Sequence, residues 1–202
     1  MITISKRKRQ AIETKLRISE AALDLYKEYS SDDVKVTDIC KAAGVSVGAF
    51  YHYFESKASI IETAYESLDE VVVVTIGQRN YSSCMDKIVD IFIEATKLLD
   101  EYGYKFAAGA YKEMISDSDE STFNKDRASI KLITETIENG QKSGEIVTKK
   151  NAEKLADYLM STGRGVIFDW CLHKGEYYIC DKMAEIIRFT ANCLNQSDYV
   201  LD

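Results

Sequence analysis

Apolar residues recur along this chain at intervals of three and four rather than at alternate positions, the spacing of amphipathic helices. Ile12, Leu16, Ala22, Leu23 and Tyr26 predict a helix over about 10–29, followed by a polar loop at Ser30–Asp33. Ile39, Ala42 and Ala43 mark a short helix stopped by Gly44, and Ser46, a good N-cap residue, opens another near Val47. Ser56 caps a long helix carrying Ile60, Ile61, Ala64, Leu68, Val71, Val72 and Ile76. The run Val71–Thr75 is β-branched enough to pass for a strand, but its flanks are helical. Gly77–Ser82 reads as a break. Met85, Ile88, Val89, Phe92, Ile93, Thr96 and Leu99 predict a helix ended near Gly103, with a shorter one over 104–116. Phe123, Ile130, Ile133 and Ile137 place another over about 120–141, ended by Gly140 and Gly144. Two clean stripes close the chain. Leu155, Tyr158, Leu159, Thr162, Gly163, Val166 and Trp170 lie on a helix over about 149–174. Met183, Ile186, Ile187, Thr190, Ala191 and Leu194 lie on one over about 180–196. The pattern predicts an all-α fold of about nine helices.

Composition agrees. The 202 residues include no proline and only 10 glycines, which favours long uninterrupted helices. A chain of this length can bury a core in one or two domains. No run of ~18 apolar residues offers a membrane span. The basic N-terminus lacks the apolar stretch of a secretory signal, and its first nine residues are expected to be mobile. Five scattered cysteines (Cys40, Cys84, Cys171, Cys180 and Cys193) form no C-x-x-C pair and read as free thiols of a cytoplasmic protein.

The overall charge of −7 argues against a general nucleic-acid binder, but its distribution changes that. Residues 1–60 hold 10 Lys/Arg against 8 Asp/Glu, a net of +2, and the remainder holds 16 against 25, a net of −9. A positive head on an acidic body follows. The run Lys6-Arg7-Lys8-Arg9 reads either as a phosphate-seeking arm or as a solvated tail.

The head's sequence Val36–Phe54, VTDICKAAGVSVGAFYHYF, is two short helices joined by a turn too tight to do more than reverse the chain. This is a helix-turn-helix, whose second helix can enter a DNA major groove. Phe50 and Phe54, four apart, point into a core with Ile39 and Val45. Ala49, His52 and Tyr53 fall on another face, and Gly48 permits close backbone approach. The residues Ile39, Ala43, Gly44, Val45, Ser46, Gly48, Tyr51, Tyr53, Phe54, Ser56 and Lys57 stand at the offsets typical of the TetR family of bacterial regulators, which this segment resembles.

The resemblance implies a division into a DNA-binding domain over 10–70, with its motif at about 35–54, and a ligand-binding and dimerisation body over 71–202. It implies phosphate contacts by Tyr51 and Lys57, and base contacts by Val47, Ala49 and His52. Lys35, where the family often has a capping Thr, is a further phosphate candidate, and Thr37, Gly48 and Tyr53 complete the DNA-binding set. Valine and alanine can touch a thymine methyl, and His52 alone among the base candidates can hydrogen-bond.

The last two helices resemble the family's dimerisation pair, and their stripes are broad for the outermost helices of a monomer. Leu159, Val166, Met183, Ile187, Thr190 and Leu194 are the expected interface; the same stripes could instead face the chain's own core. Phe92, Tyr102, Phe106, Tyr111, Phe168 and Trp170 suggest an aromatic-lined cavity for an apolar or aromatic small-molecule effector. Residues of this kind are also ordinary core.

No nucleophile motif, phosphate-cradling loop or metal spacing appears, so neither enzyme activity nor a cofactor is expected; Cys171-x-His173 is a minimal pair only. The expected function is a dimeric, ligand-responsive repressor of a palindromic DNA operator. Two alternatives remain: a thiol-based redox sensor acting through a cysteine such as Cys40, and a DNA-anchored dimer that docks another protein without a small ligand.

Overall fold

The computed structural model describes residues 6–116 and 127–195, with side chains for all of these except residues 6–9, 98, 113, 114, 116 and 194. Among them the chain forms eight helices and no strand: α1 Lys6–Glu28, α2 Val36–Ala43, α3 Val47–Tyr53, α4 Lys57–Gly77, α5 Cys84–Ser116, α6 Ala128–Ser143, α7 Ala152–Leu172 and α8 Ile179–Asn195. α5 is broken at Gly103, where φ is 81° and ψ is 163°, so nine helical segments result. The expected start of α6 near residue 120, with Phe123, lies outside the described residues.

The helices divide into two compact units, Met1–Tyr65 with Tyr102–Ser118, and Glu66–Glu101 with Asp119–Asp202. A division at residue 70 would leave 102–118 in the body; the structure places that segment with the N-terminal helices. The reason is local packing. Phe106 and Ala107 are buried, and the Phe106 ring stacks on Tyr65 with centroids 6.1 Å apart.

In the first unit, Ile18, Ala22 and Tyr26 of α1 are buried with Ile39, Phe50, Phe54, Ile60 and Ile61. Apolar burial of this kind contributes about 1.5–3 kcal/mol per large side chain. Ile12 and Leu16, expected in the same stripe, are exposed. α1 begins at Lys6, four residues earlier than its stripe predicts, and none of its described side chains before Ile18 is buried. The β-branched run in α4 is helical, with Val72 buried and Val71 exposed.

In the second unit, α7 packs against both α6 and α8. Leu159, Val166 and Trp170 of α7 and Met183, Ile187 and Ala191 of α8 are buried within the chain itself. Gly163 allows the closest approach: a Cβ there would lie 2.8 Å from the Phe92 ring. The expectation that Leu159, Val166, Met183 and Ile187 face a partner is therefore corrected. These stripes seal the unit's own core, because a helix pair first satisfies its broad apolar faces against its own chain. Thr190 is half-buried, and the side chain of Leu194 lies outside the described residues. No described helix is long and apolar enough to cross a membrane.

Candidate nucleic-acid interface

The site begins with the turn between α2 and α3. Gly44 adopts φ 65° and ψ 41°, a left-handed conformation that costs a glycine little. The Val45 N–H then returns to the Cys40 carbonyl at 3.0 Å, closing α2. Two residues later the Ser46 hydroxyl accepts the Ala49 N–H at 3.1 Å and starts α3. Phe50 and Phe54 hold α3 from below, their ring centroids 6.0 Å apart. The register of α3 is thus fixed by one turn, one cap and two buried rings.

That register decides what α3 shows outward. Val47, Gly48, Tyr51 and His52 are exposed, and Ala49 and Tyr53 are half-exposed. Tyr51, 56% exposed, stands edge-on to Phe50 at 5.3 Å. His52 and Tyr53 meet edge to face at 4.9 Å, which limits the imidazole's freedom. Lys35 and Thr37 are exposed at the start of α2, where the Asp38 carboxylate accepts the Lys35 N–H at 3.0 Å. Lys15 of α1 adds a cation that the sequence pattern did not single out. Its ammonium lies 5.3 Å from the Phe54 ring, just after α3, a proximity set by packing across 39 positions.

Lys57 stands differently from its expected role. Its ammonium is partly buried and donates to the carbonyls of Ser31 and Val34 at 2.5 and 2.7 Å. Two of its three N–H groups thereby hold the α1–α2 connection to the start of α4, where Ser56 and Ser59 cap each other at 3.2 Å. Lys57→Ala is expected to lower the stability of the chain by about 2 kcal/mol, since bonds from a charged donor are worth ~1.5–3 kcal/mol when made. Urea titration followed by circular dichroism measures this. An unchanged midpoint would show that the two carbonyls do not need the lysine.

The aromatic set expected to line one cavity is not brought together. Tyr102, Phe106 and Tyr111 belong to the first unit, and Phe92, Phe168 and Trp170 to the second. Phe92, Phe106 and Trp170 are core residues, Trp170 donating its indole N–H to the Tyr177 carbonyl at 3.0 Å. Phe168 is exposed. The roomiest feature described in the second unit is instead a groove of about 610 Å³ between α6 and α7. Six of its ten lining residues are charged, Lys131, Glu135, Glu153, Lys154, Asp157 and Arg164, and only Ile130 and Met160 are apolar. Sequence periodicity missed it because charged positions read as a solvated face.

The thiols are poorly placed to react. Burial pushes Cys40, inside α2, above its ordinary range and Cys171 up to about 11, while Cys84 and Cys180 are also raised, chiefly by burial. A thiolate is the reactive form, so these shifts work against oxidation. Among the described residues no group of three or more His, Cys, Asp or Glu could hold a metal ion.

A solvent-facing recognition helix on a glycine turn defines a helix-turn-helix DNA-binding unit. Residues 18–64 match the family model of bacterial regulatory proteins, tetR family. The chain is 31% identical over 90 residues to YvdT of Bacillus subtilis (strain 168), an uncharacterised HTH-type transcriptional regulator, a stretch that spans 42% of this chain and 44% of that relative's length. The fold is similar to that of FadR from Bacillus subtilis in complex with stearoyl-CoA, with TM-score 0.72 and 17% identity over 87% of this chain and 97% of that one. It is also similar to Salmonella enterica GusR, with TM-score 0.71 and 22% identity over 96% and 98% of the two chains. The chain belongs to the TetR family of bacterial regulatory proteins.

Proposed function

We propose that this chain is a dimeric transcriptional regulator that represses from a palindromic operator and is released by a small-molecule effector. The observation that carries the reading is the outward face of α3. Val47, Tyr51 and His52 are exposed on a helix whose register is fixed from behind, as a major-groove reader requires. In vitro selection from a random duplex pool tests it. Enriched inverted repeats with half-sites one or more helical turns apart are expected; a pool that stays random would refute DNA reading.

A dimer is supported by a different face from the one the stripes suggested. Phe168 of α7 is 50% exposed and Phe189 of α8 is 69% exposed, and Tyr158 and Leu172 are exposed beside them in sequence register. Large apolar side chains left in solvent on two packed helices suit a symmetric contact.

The groove between α6 and α7 is the proposed effector site. Its charged walls suit a ligand with a polar or charged head rather than a wholly aromatic one. Two FadR proteins of the same fold, from Bacillus subtilis and Thermus thermophilus, are solved with stearoyl-CoA and lauroyl-CoA. Acyl-CoA thioesters are therefore the first probes to titrate against the operator complex. Release of DNA by one chain length is expected, and no release by any would exclude that class. The thiol-sensing alternative loses support from the raised cysteines.

A further inference from the structure

We propose that Gly103 is a conformational switch, at which α5 alternates between the broken helix of the structure and a continuous one, re-aiming the DNA-binding unit. The proposal rests on the reading of that unit as a DNA-binding head.

The first support is the backbone itself. Within Cys84–Ser116 the one residue with non-helical dihedrals is Gly103, at φ 81° and ψ 163°. That region is essentially open to glycine alone. No heavy atom lies within 4 Å of where a Cβ would stand, so packing does not require the glycine; the dihedral does. Neither flank contains a proline, and a rotation at this single residue would join the two segments. Glycine costs a helix about 1 kcal/mol relative to alanine. A cost that small leaves the broken and continuous forms close in energy.

The second support is where the break falls. The border between the two compact units lies at Glu101 and Tyr102. Beyond it the chain is fastened to the head at several points. Lys105 donates to the Glu28 carbonyl at the end of α1 at 2.5 Å, and Lys112 pairs with Asp32. Gly109 lies so near Ser31 that a Cβ there would meet its hydroxyl at 2.8 Å. The Tyr102 ring packs on Phe106 with centroids 5.1 Å apart. Before the break, Phe92, Thr96 and Leu99 are buried in the second unit, and Arg79 bridges Asp90 and Glu94 at 2.7 and 2.9 Å. Both flanks are anchored, so a rotation at Gly103 is delivered to the end of α1 and the loop that follows it. A ligand favouring one backbone state in the second unit would thereby shift the head.

The test uses the full chain with Gly103→Ala, since an L-residue avoids this dihedral and prefers the helix. Spin labels introduced as non-canonical residues at Lys97 and Ile115, both exposed, leave the native cysteines untouched. In a continuous helix these positions are separated by about 27 Å, at ~1.5 Å per residue. The distance in Gly103→Ala is expected to move to that value. Affinity for the selected operator duplex is expected to fall about tenfold, within the ~5–150-fold range of allosteric couplings. An unchanged distance overturns the switch, and a changed distance with unchanged operator affinity overturns its link to the head. Should the variant not fold, the labelled wild-type chain decides: different distances with and without operator support the proposal, and one shared distance refutes it. Failure of the DNA-binding reading would show separately, as a wild-type chain that selects no duplex.

Discussion

Glutamate in place of Ile187 is expected to unfold the C-terminal unit, not to release a folded monomer. Ile187 is 0% exposed within a single chain, under α7. The substitution forfeits about 1.5–3 kcal/mol of apolar burial and places an unpaired carboxylate in the core, at a further cost of several kcal/mol. Together these approach the roughly 5–15 kcal/mol by which a whole domain is stable. Phe189→Glu is the contrasting variant. Phe189 sits two positions further along α8 and is 69% exposed, so its removal costs the isolated chain little. If the outer face of α7 and α8 is the dimer contact, this variant stays helical and sediments as a monomer. Circular dichroism melts and sedimentation velocity on both proteins separate the cases. A folded Ile187→Glu chain would contradict the burial, and a dimeric Phe189→Glu chain would move the interface elsewhere.

The second large effect concerns sequence reading. His52→Ala is expected to weaken operator binding by about 1–3 kcal/mol, the worth of a good base contact. Binding to a scrambled duplex should be nearly unchanged, since phosphate contacts supply that term. His52 is exposed, its ring braced by Tyr53, and it offers hydrogen bonds that Val47 and Ala49 cannot. Lys35→Ala is expected to behave oppositely, weakening both duplexes alike and flattening the plot of log K against log salt by about 0.9. Paired titrations at several salt concentrations read both variants. Equal losses on the two duplexes for His52→Ala would make it a backbone contact, and no loss on either would leave specificity to methyl contacts and DNA shape.

The parts of the molecule legible in the sequence are those fixed by neighbours along the chain. Gly44, Ser46, Phe50 and Phe54 act within one or two turns of themselves, so the helix-turn-helix and the face it exposes could be read residue by residue. The break at Gly103 was legible for the same reason. The use of the α7 and α8 stripes was not, because periodicity shows that Leu159 and Ile187 must be covered without saying by what. The informative residues there were Tyr158, Phe168 and Phe189, apolar side chains whose exposure only packing reveals. The expected aromatic cavity failed on topology. Phe106 stacks on Tyr65, 41 positions earlier, and no local signal announces that 102–118 returns to the N-terminal helices. Lys57 shows the same limit, its ammonium spent on carbonyls more than 20 residues upstream.

The return of 102–118 to the first unit bears on how such regulators can be recombined. A fragment cut after Tyr65 would carry the whole helix-turn-helix yet lose the covering of Phe106 and Ala107, and with it the lysines that cap the end of α1 and its loop. The head is thus not an excisable cassette. A chimera that grafts this DNA specificity onto another sensor has to transplant two stretches of chain, with the splice in α5 placed upstream of Tyr102.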